Sequence, residues 1–135
     1  MMHEINVRVR FCETDALGHI NNTSYFVYLE EARVCLFDEI TKLKDPNEWE
    51  FILASTKCDF ISQGYFKQNL TIKSYITNIG SKSFSIGHEI VDSDTGKLIA
   101  KGKAVIVYFN FQTQKSEPIP PEIRASLEER LVIPT

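Results

Sequence analysis

A chain of 135 residues with 43% hydrophobic side chains carries enough apolar material for one packed core, which sets it apart from disordered sequences and is read as a single domain over 1–135. Its formal net charge of −3 gives no general attraction for nucleic acid or an anionic bilayer. No apolar run approaches the roughly 18 residues of a membrane span, and the scattered Cys12, Cys35, Cys58, His3, His19 and His88 offer neither an even disulfide framework nor zinc-ligand spacing. The expectation is a cytoplasmic protein in a reducing compartment, with no cofactor, metal, nucleic acid or membrane partner.

Ile5, Val7, Val9 and Phe11 alternate with Asn6, Arg8 and Arg10, the period of a strand with one buried face. Asp15 follows, then turn chemistry from Ala16 to Asn21, then Asn22, Thr23 and Ser24 as cap side chains for a helix. Tyr25, Leu29, Ala32, Leu36, Ile40 and Leu43 recur at helical spacing, with Phe26, Arg33 and Phe37 alongside, so the helix is expected over about Thr23–Leu43. Lys44, Asp45 and Pro46 are expected to stop it. Four strands are expected next, over Phe51–Ser62, Phe66–Ile79, Ser83–Val91 and Leu98–Phe111, broken at Gly64, at Gly80–Ser81 and at Asp92–Gly96. A short terminal helix is then expected over Glu122–Arg130, with Pro121 at its first turn. So apolar a helix must be covered, which predicts an α+β fold with an antiparallel five-stranded sheet wrapped around it. Long strands also leave an edge, and pairing of copies is one way to cover it, giving a homodimer or homotetramer.

The chemistry concentrates at Asp15. A carboxylate beside a helix start, where free backbone N–H groups attract negative charge, suits acyl transfer: the acid attacks or activates water, and an amide stabilises the oxyanion. Asp15 alone also fits a turn closure or cap. Gly18 suits a backbone conformation closed to residues with a Cβ, or close approach of a substrate, and His19 suits loop shaping or substrate contact. Asn21 and Asn22 read as caps. Glu31 reads as a partner for a base such as Arg33, and Tyr25 and Tyr28 as helix packing able to line an acyl pocket. No G-x-S-x-G, G-x-G-x-x-G or P-loop pattern is present. Lys97, Lys101 and Lys103 read as a solvated face.

Asp15, Gly18, His19, Ile20, Asn21, Asn22 and Tyr25 fit the pattern D-x-x-G-H-V/I-N-N-x-x-Y, and Tyr28-Leu29-Glu30-Glu31-Ala32-Arg33 continues it. With Lys82-Ser83-Phe84 at a strand start, the chain resembles the hotdog-fold acyl-CoA thioesterases of the 4-hydroxybenzoyl-CoA thioesterase-like family. The resemblance implies the hotdog fold, joined sheets of two protomers with sites between them, and thioester hydrolysis without a metal. It implies Asp15 as catalytic carboxylate, the backbone N–H of Asn22 as oxyanion donor, and Gly18, His19, Tyr25 and Lys82 as substrate-binding residues for acyl-CoA. An acyl carrier protein thioesterase and a non-catalytic acyl-CoA binding module are the competing readings. The first would need a basic rim for a protein carrier, and the second would have no need of Asp15.

Overall fold

The computed structural model describes residues 2–41 and 50–132. Strand β1 (His3–Arg8) leads through a 3-10 turn (Phe11–Glu13) and a loop to helix α1 (Asn22–Thr41). Strands β2 (Phe51–Phe60), β3 (Asn69–Ile79), β4 (Ser83–Asp92) and β5 (Leu98–Asn110) follow, then a two-residue strand β6 (Lys115–Ser116) and helix α2 (Pro121–Glu128). Leu43 and the expected helix stop at Lys44, Asp45 and Pro46 lie outside the described residues.

The strands form one antiparallel sheet in the order β1-β3-β4-β5-β2, with β6 paired to β5. Among the described residues six strands replace the five expected, because Asn110 turns the chain back on itself: its Oδ1 accepts from the Gln112 and Thr113 N–H groups, and Gln114 takes a positive φ. Phe111 therefore belongs to the turn and not to β5. At the other end of the chain, Val9 is buried as its period requires, whereas Phe11 leaves the strand for the 3-10 turn and is 76% exposed.

Helix α1 crosses one face of the sheet, and the side it buries is the one its spacing marked. Leu29, Ala32 and Leu36 are fully buried, and Tyr25, Tyr28, Phe37 and Ile40 nearly so, while Phe26 lies at the surface. The apolar core divides into two clusters: Leu36, Phe37 and Ile40 pack on Ile76, Phe84 and Ile106, whereas Tyr25, Leu29 and Ala32 pack with Leu70, Ile72 and Ile90. The row Ser74, His88 and Gly102 lies opposite in register across β3, β4 and β5. A Cβ at Gly102 would stand 2.7 Å from Leu29 Cδ1, so this glycine is what lets the helix approach β5. Ser74 Oγ meets His88 Nδ1 at 2.7 Å, and Nε2 of His88 is buried without a hydrogen-bond partner among the described residues. Burial, with the charge of Arg33, pulls the His88 pKa down to about 3, so the ring is neutral throughout the physiological range.

Strand β2 ends the sheet, with β5 on one side and an open edge on the other among the described residues. Phe51 is buried at its start, but Leu53 through Lys57, Asp59 and Phe60 are exposed. A bulge between Leu53 and Ser55 interrupts its register with β5.

Candidate active site

Residues 14–20 form a closed excursion whose two legs meet in an isolated bridge between Thr14 and Ile20. Asp15 organises its tip from within. Its Oδ1 accepts from the Leu17 N–H at 2.8 Å and the His19 N–H at 3.1 Å, and its backbone N–H donates to the His19 carbonyl. Among the described residues no donor reaches Oδ2. Gly18 takes φ +79°, a conformation that disfavours a Cβ even though the space around it is open. The turn-closing reading of Asp15 is thus real, and it uses one oxygen of the two.

The excursion docks on the chain that follows β2. The Ile20 N–H donates to the Gly64 carbonyl, the Phe66 N–H donates to the Gly18 carbonyl, and the His19 ring packs edge-on against Tyr65. At its exit Asn21 caps α1: its Oδ1 accepts from the Thr23 N–H at 3.1 Å, and its carbonyl accepts from the Ser24 N–H. Among the described residues the Asn22 N–H, the first of the helix, has no acceptor within the chain.

A cleft of about 580 Å³ opens between these parts, lined by Asp15, Ile20, Asn21, Asn22 and Tyr25 on one side and by Phe60, Ile61, Ser62 and Gln63 on the other. Tyr25 forms an apolar wall with Phe60, their ring centroids 5.1 Å apart. Burial raises the Tyr25 pKa, partly offset by a hydrogen bond from the Gly64 backbone, so it presents a neutral phenol. Cys58 is a poor nucleophile here, since burial and then Asp59 push its thiol up to about 11.

Of the residues singled out from the sequence, Asp15, Asn22 and Tyr25 meet at this cleft. Gly18 and His19 belong to the excursion but do not line it. Lys82 is exposed in the β3–β4 hairpin, at the opposite end of the sheet from the excursion. Strands of that length separate their ends by on the order of 30 Å. Among the described residues Glu31 forms no ion pair with Arg33, because residues two apart on a helix face different ways. Cys35 donates to Glu31 Oε1 at 3.6 Å, while Arg33 is buried and feels the charge of Glu30.

Sequence reasoning passed over Phe60 to Gln63, which read as an ordinary strand end, and also Glu13. Glu13 is 7% exposed, and its carboxylate accepts from the Arg10 backbone N–H, the Arg10 Nε and Nη2, and the Tyr28 hydroxyl. Burial pushes the Glu13 carboxyl up, but the bonds from Arg10 and Tyr28 outweigh that and hold it below the usual carboxylate range. Tyr28 moves upward, through burial and its bond to that carboxylate. A glutamate immediately before Thr14-Asp15 was the available signal.

Among the described residues no group of three or more His, Cys, Asp and Glu could hold a metal ion, and no helix is long and apolar enough to cross a membrane. The chain matches the thioesterase-like superfamily over residues 9–127. It is 25% identical over 132 residues to the long-chain acyl-CoA thioesterase FadM of Escherichia coli (strain K12), covering 93% of this chain and 97% of that one. A predicted thioesterase from Bacillus stearothermophilus superposes with TM-score 0.93 at 36% identity, covering 100% of both chains. A thioesterase from Thermus thermophilus, complexed with coenzyme A and Zn, superposes with TM-score 0.81 at 26% identity, covering 93% of this chain and 91% of that one. The antiparallel sheet laid on a buried central helix is the hotdog fold, and with the family matched over residues 9–127 this chain belongs to the thioesterase-like superfamily.

Proposed function

We propose that this thioesterase hydrolyses acyl-CoA thioesters to the free acid and CoA, with Asp15 as nucleophile or general base and the Asn22 N–H as oxyanion donor. The observation that carries the reading is the shared cleft: it is lined both by a carboxylate with one oxygen pinned and the other unengaged and by a helix start whose first N–H has no acceptor, among the described residues. In one route Oδ2 bonds to the thioester carbon, the carbonyl electrons move to an oxyanion at Asn22, and the thiolate leaves and takes a proton from water. Water then opens the resulting anhydride. In the other route Oδ2 takes the proton of the water that attacks, and passes it to the departing thiolate. Tyr25, Phe60 and Ile61 give the acyl group its apolar wall, and the binding of coenzyme A by the Thermus relative supports a CoA thioester as substrate.

The reading extends to a homodimer or homotetramer. Two copies pairing their β2 edges about a two-fold axis run those strands in opposite directions. The Phe51 end of a second copy then approaches the Phe60 end of the first. Tyr108 is opposite Phe51, and its N–H donates to the Lys82 carbonyl, so Lys82 travels with that end. A second copy thereby supplies the cation that one chain holds on the order of 30 Å from its own Asp15, where it suits the phosphates of CoA. Gly18 and His19 line the cleft in such an assembly only if the substrate passes over the excursion. The unbridged Cys12, Cys35 and Cys58 fit a cytoplasmic setting.

Thiol release from short, long and aromatic acyl-CoAs, beside the same acyl groups on an acyl carrier protein, tests the proposal. Hydrolysis of at least one acyl-CoA is expected, with kcat/KM above that for the carrier-bound acyl group. Preference for the carrier makes this a carrier thioesterase, and tight binding without thiol release makes it a binding module.

A further inference from the structure

We infer that Glu13 is a positioning residue for hydrolysis, setting Asp15 and the Asn22 N–H in register through both its carboxylate and its carbonyl; this rests on the reading of those two groups given above. The excursion that carries Asp15 leaves and returns at Glu13. The Glu13 carbonyl accepts from the Asn21 N–H at 2.8 Å and from the buried Ser24 hydroxyl at 3.0 Å, which ties the foot of the excursion to the first turn of α1. The carboxylate holds the same residue from the other side. Oε1 accepts from the Arg10 N–H at 2.8 Å and the Tyr28 hydroxyl at 3.0 Å, while Oε2 accepts from Arg10 Nε at 3.1 Å and Nη2 at 2.7 Å.

Three parts of the chain therefore converge on one side chain: the segment after β1 through Arg10, which caps the 3-10 turn, that turn through Glu13 itself, and the second turn of α1 through Tyr28. Asp15 is two residues after this anchor and Asn22 is one residue after Asn21, so the two groups share one foot. A nucleophile or base and its oxyanion donor must keep their separation to within a fraction of an ångström, and a misplacement of about 1 Å can lower a rate by about 10²-fold. Glu13 does not line the cleft, so its effect on chemistry passes through the groups it holds.

Glu13→Gln tests this with the shape retained. The amide nitrogen, placed at Oε2, meets the Arg10 donors as a donor, and the fork opens. The expected result is a folded protein whose kcat for the best acyl-CoA falls about tenfold or more while KM stays within about threefold. Affinity for a non-hydrolysable CoA thioether is expected to remain near wild type. Tyr28→Phe is expected to lower kcat by less, and the double variant to fall short of the product of the two single effects, since both act on one network. Because Arg10 has an exposed side chain, Arg10→Gln breaks the same fork without burying a new group, so it reads the effect even if Glu13→Gln fails to fold. A folded Glu13→Gln or Arg10→Gln that keeps wild-type kcat, beside an inactive Asp15→Asn, overturns the positioning role alone. Absence of thiol release by the wild-type protein overturns the thioesterase reading and this role with it.

Discussion

Asp15→Asn is expected to lower kcat for acyl-CoA hydrolysis by roughly 10²- to 10⁴-fold with little change in melting temperature. The substitution isolates chemistry from architecture because asparagine keeps the Oδ1 acceptor. The Leu17 and His19 N–H groups retain their partner at 2.8 and 3.1 Å, and the excursion retains its shape. What changes is Oδ2, from an anionic oxygen to an amide nitrogen that can neither attack a thioester nor take a proton from water. A factor of 10² corresponds to about 2.7 kcal/mol of barrier, and with both Oδ1 bonds of the loop retained it reads the loss of the reactive oxygen and not a displaced side chain. Asp15→Ala would lose the loop bonds together with the reactive oxygen and so could not separate the roles. Steady-state thiol release with a matched thermal melt is the measurement. Activity within tenfold of wild type at unchanged stability would reduce Asp15 to the turn closure that its sequence position also allows.

The second large effect concerns acid. Unfolding free energy is expected to fall as pH drops below about 6.5, by up to about 1.4 kcal/mol per unit, and His88 supplies the cause. In the folded chain its ring is buried between the two core clusters, with Ser74 on Nδ1 and the Arg33 charge nearby, and its pKa lies at about 3. In the unfolded chain the ring takes a proton near its ordinary value. Between those values the unfolded state binds more protons, so stability rises with pH and is lost on acidification. The contribution is complete above about 6.5 and stops changing below the folded-state value. Denaturant unfolding of wild type and His88→Gln at pH 7, 6, 5 and 4 reads the difference, since carboxylate contributions are common to both. The variant is expected to show the shallower slope from pH 6 to 4, and parallel slopes would remove His88 as the cause.

Most of the fold was legible because its signals are local. Alternation in β1, helical spacing from Tyr25 to Ile40, and the turn residues at Gly80 and at Asp92 to Gly96 each operate within a few residues. The elements they mark match the observed ones to within three residues wherever the chain is described. The misreadings have local causes as well. Phe11 continued the strand alternation but fell into a 3-10 turn, where Thr14 N–H closes back on the Phe11 carbonyl. Strand β6 was missed because two residues carry no readable period.

The sequence by itself determined the element order, the buried face of α1 and the presence of a carboxylate before the first N–H groups of that helix. These follow from side-chain periodicity and cap chemistry, which act over one or two turns of chain. The tertiary structure decided the rest. It placed β2 at the sheet edge beyond β5, so that Phe60 to Gln63 face Asp15 across a cleft, and it sent Lys82 to the far end of the sheet. It also joined Glu13 to Tyr28, 15 residues along the chain. Such meetings depend on strand order and on the angle at which a helix crosses a sheet, and both are set by packing among residues far apart in the chain, where no local period carries the information.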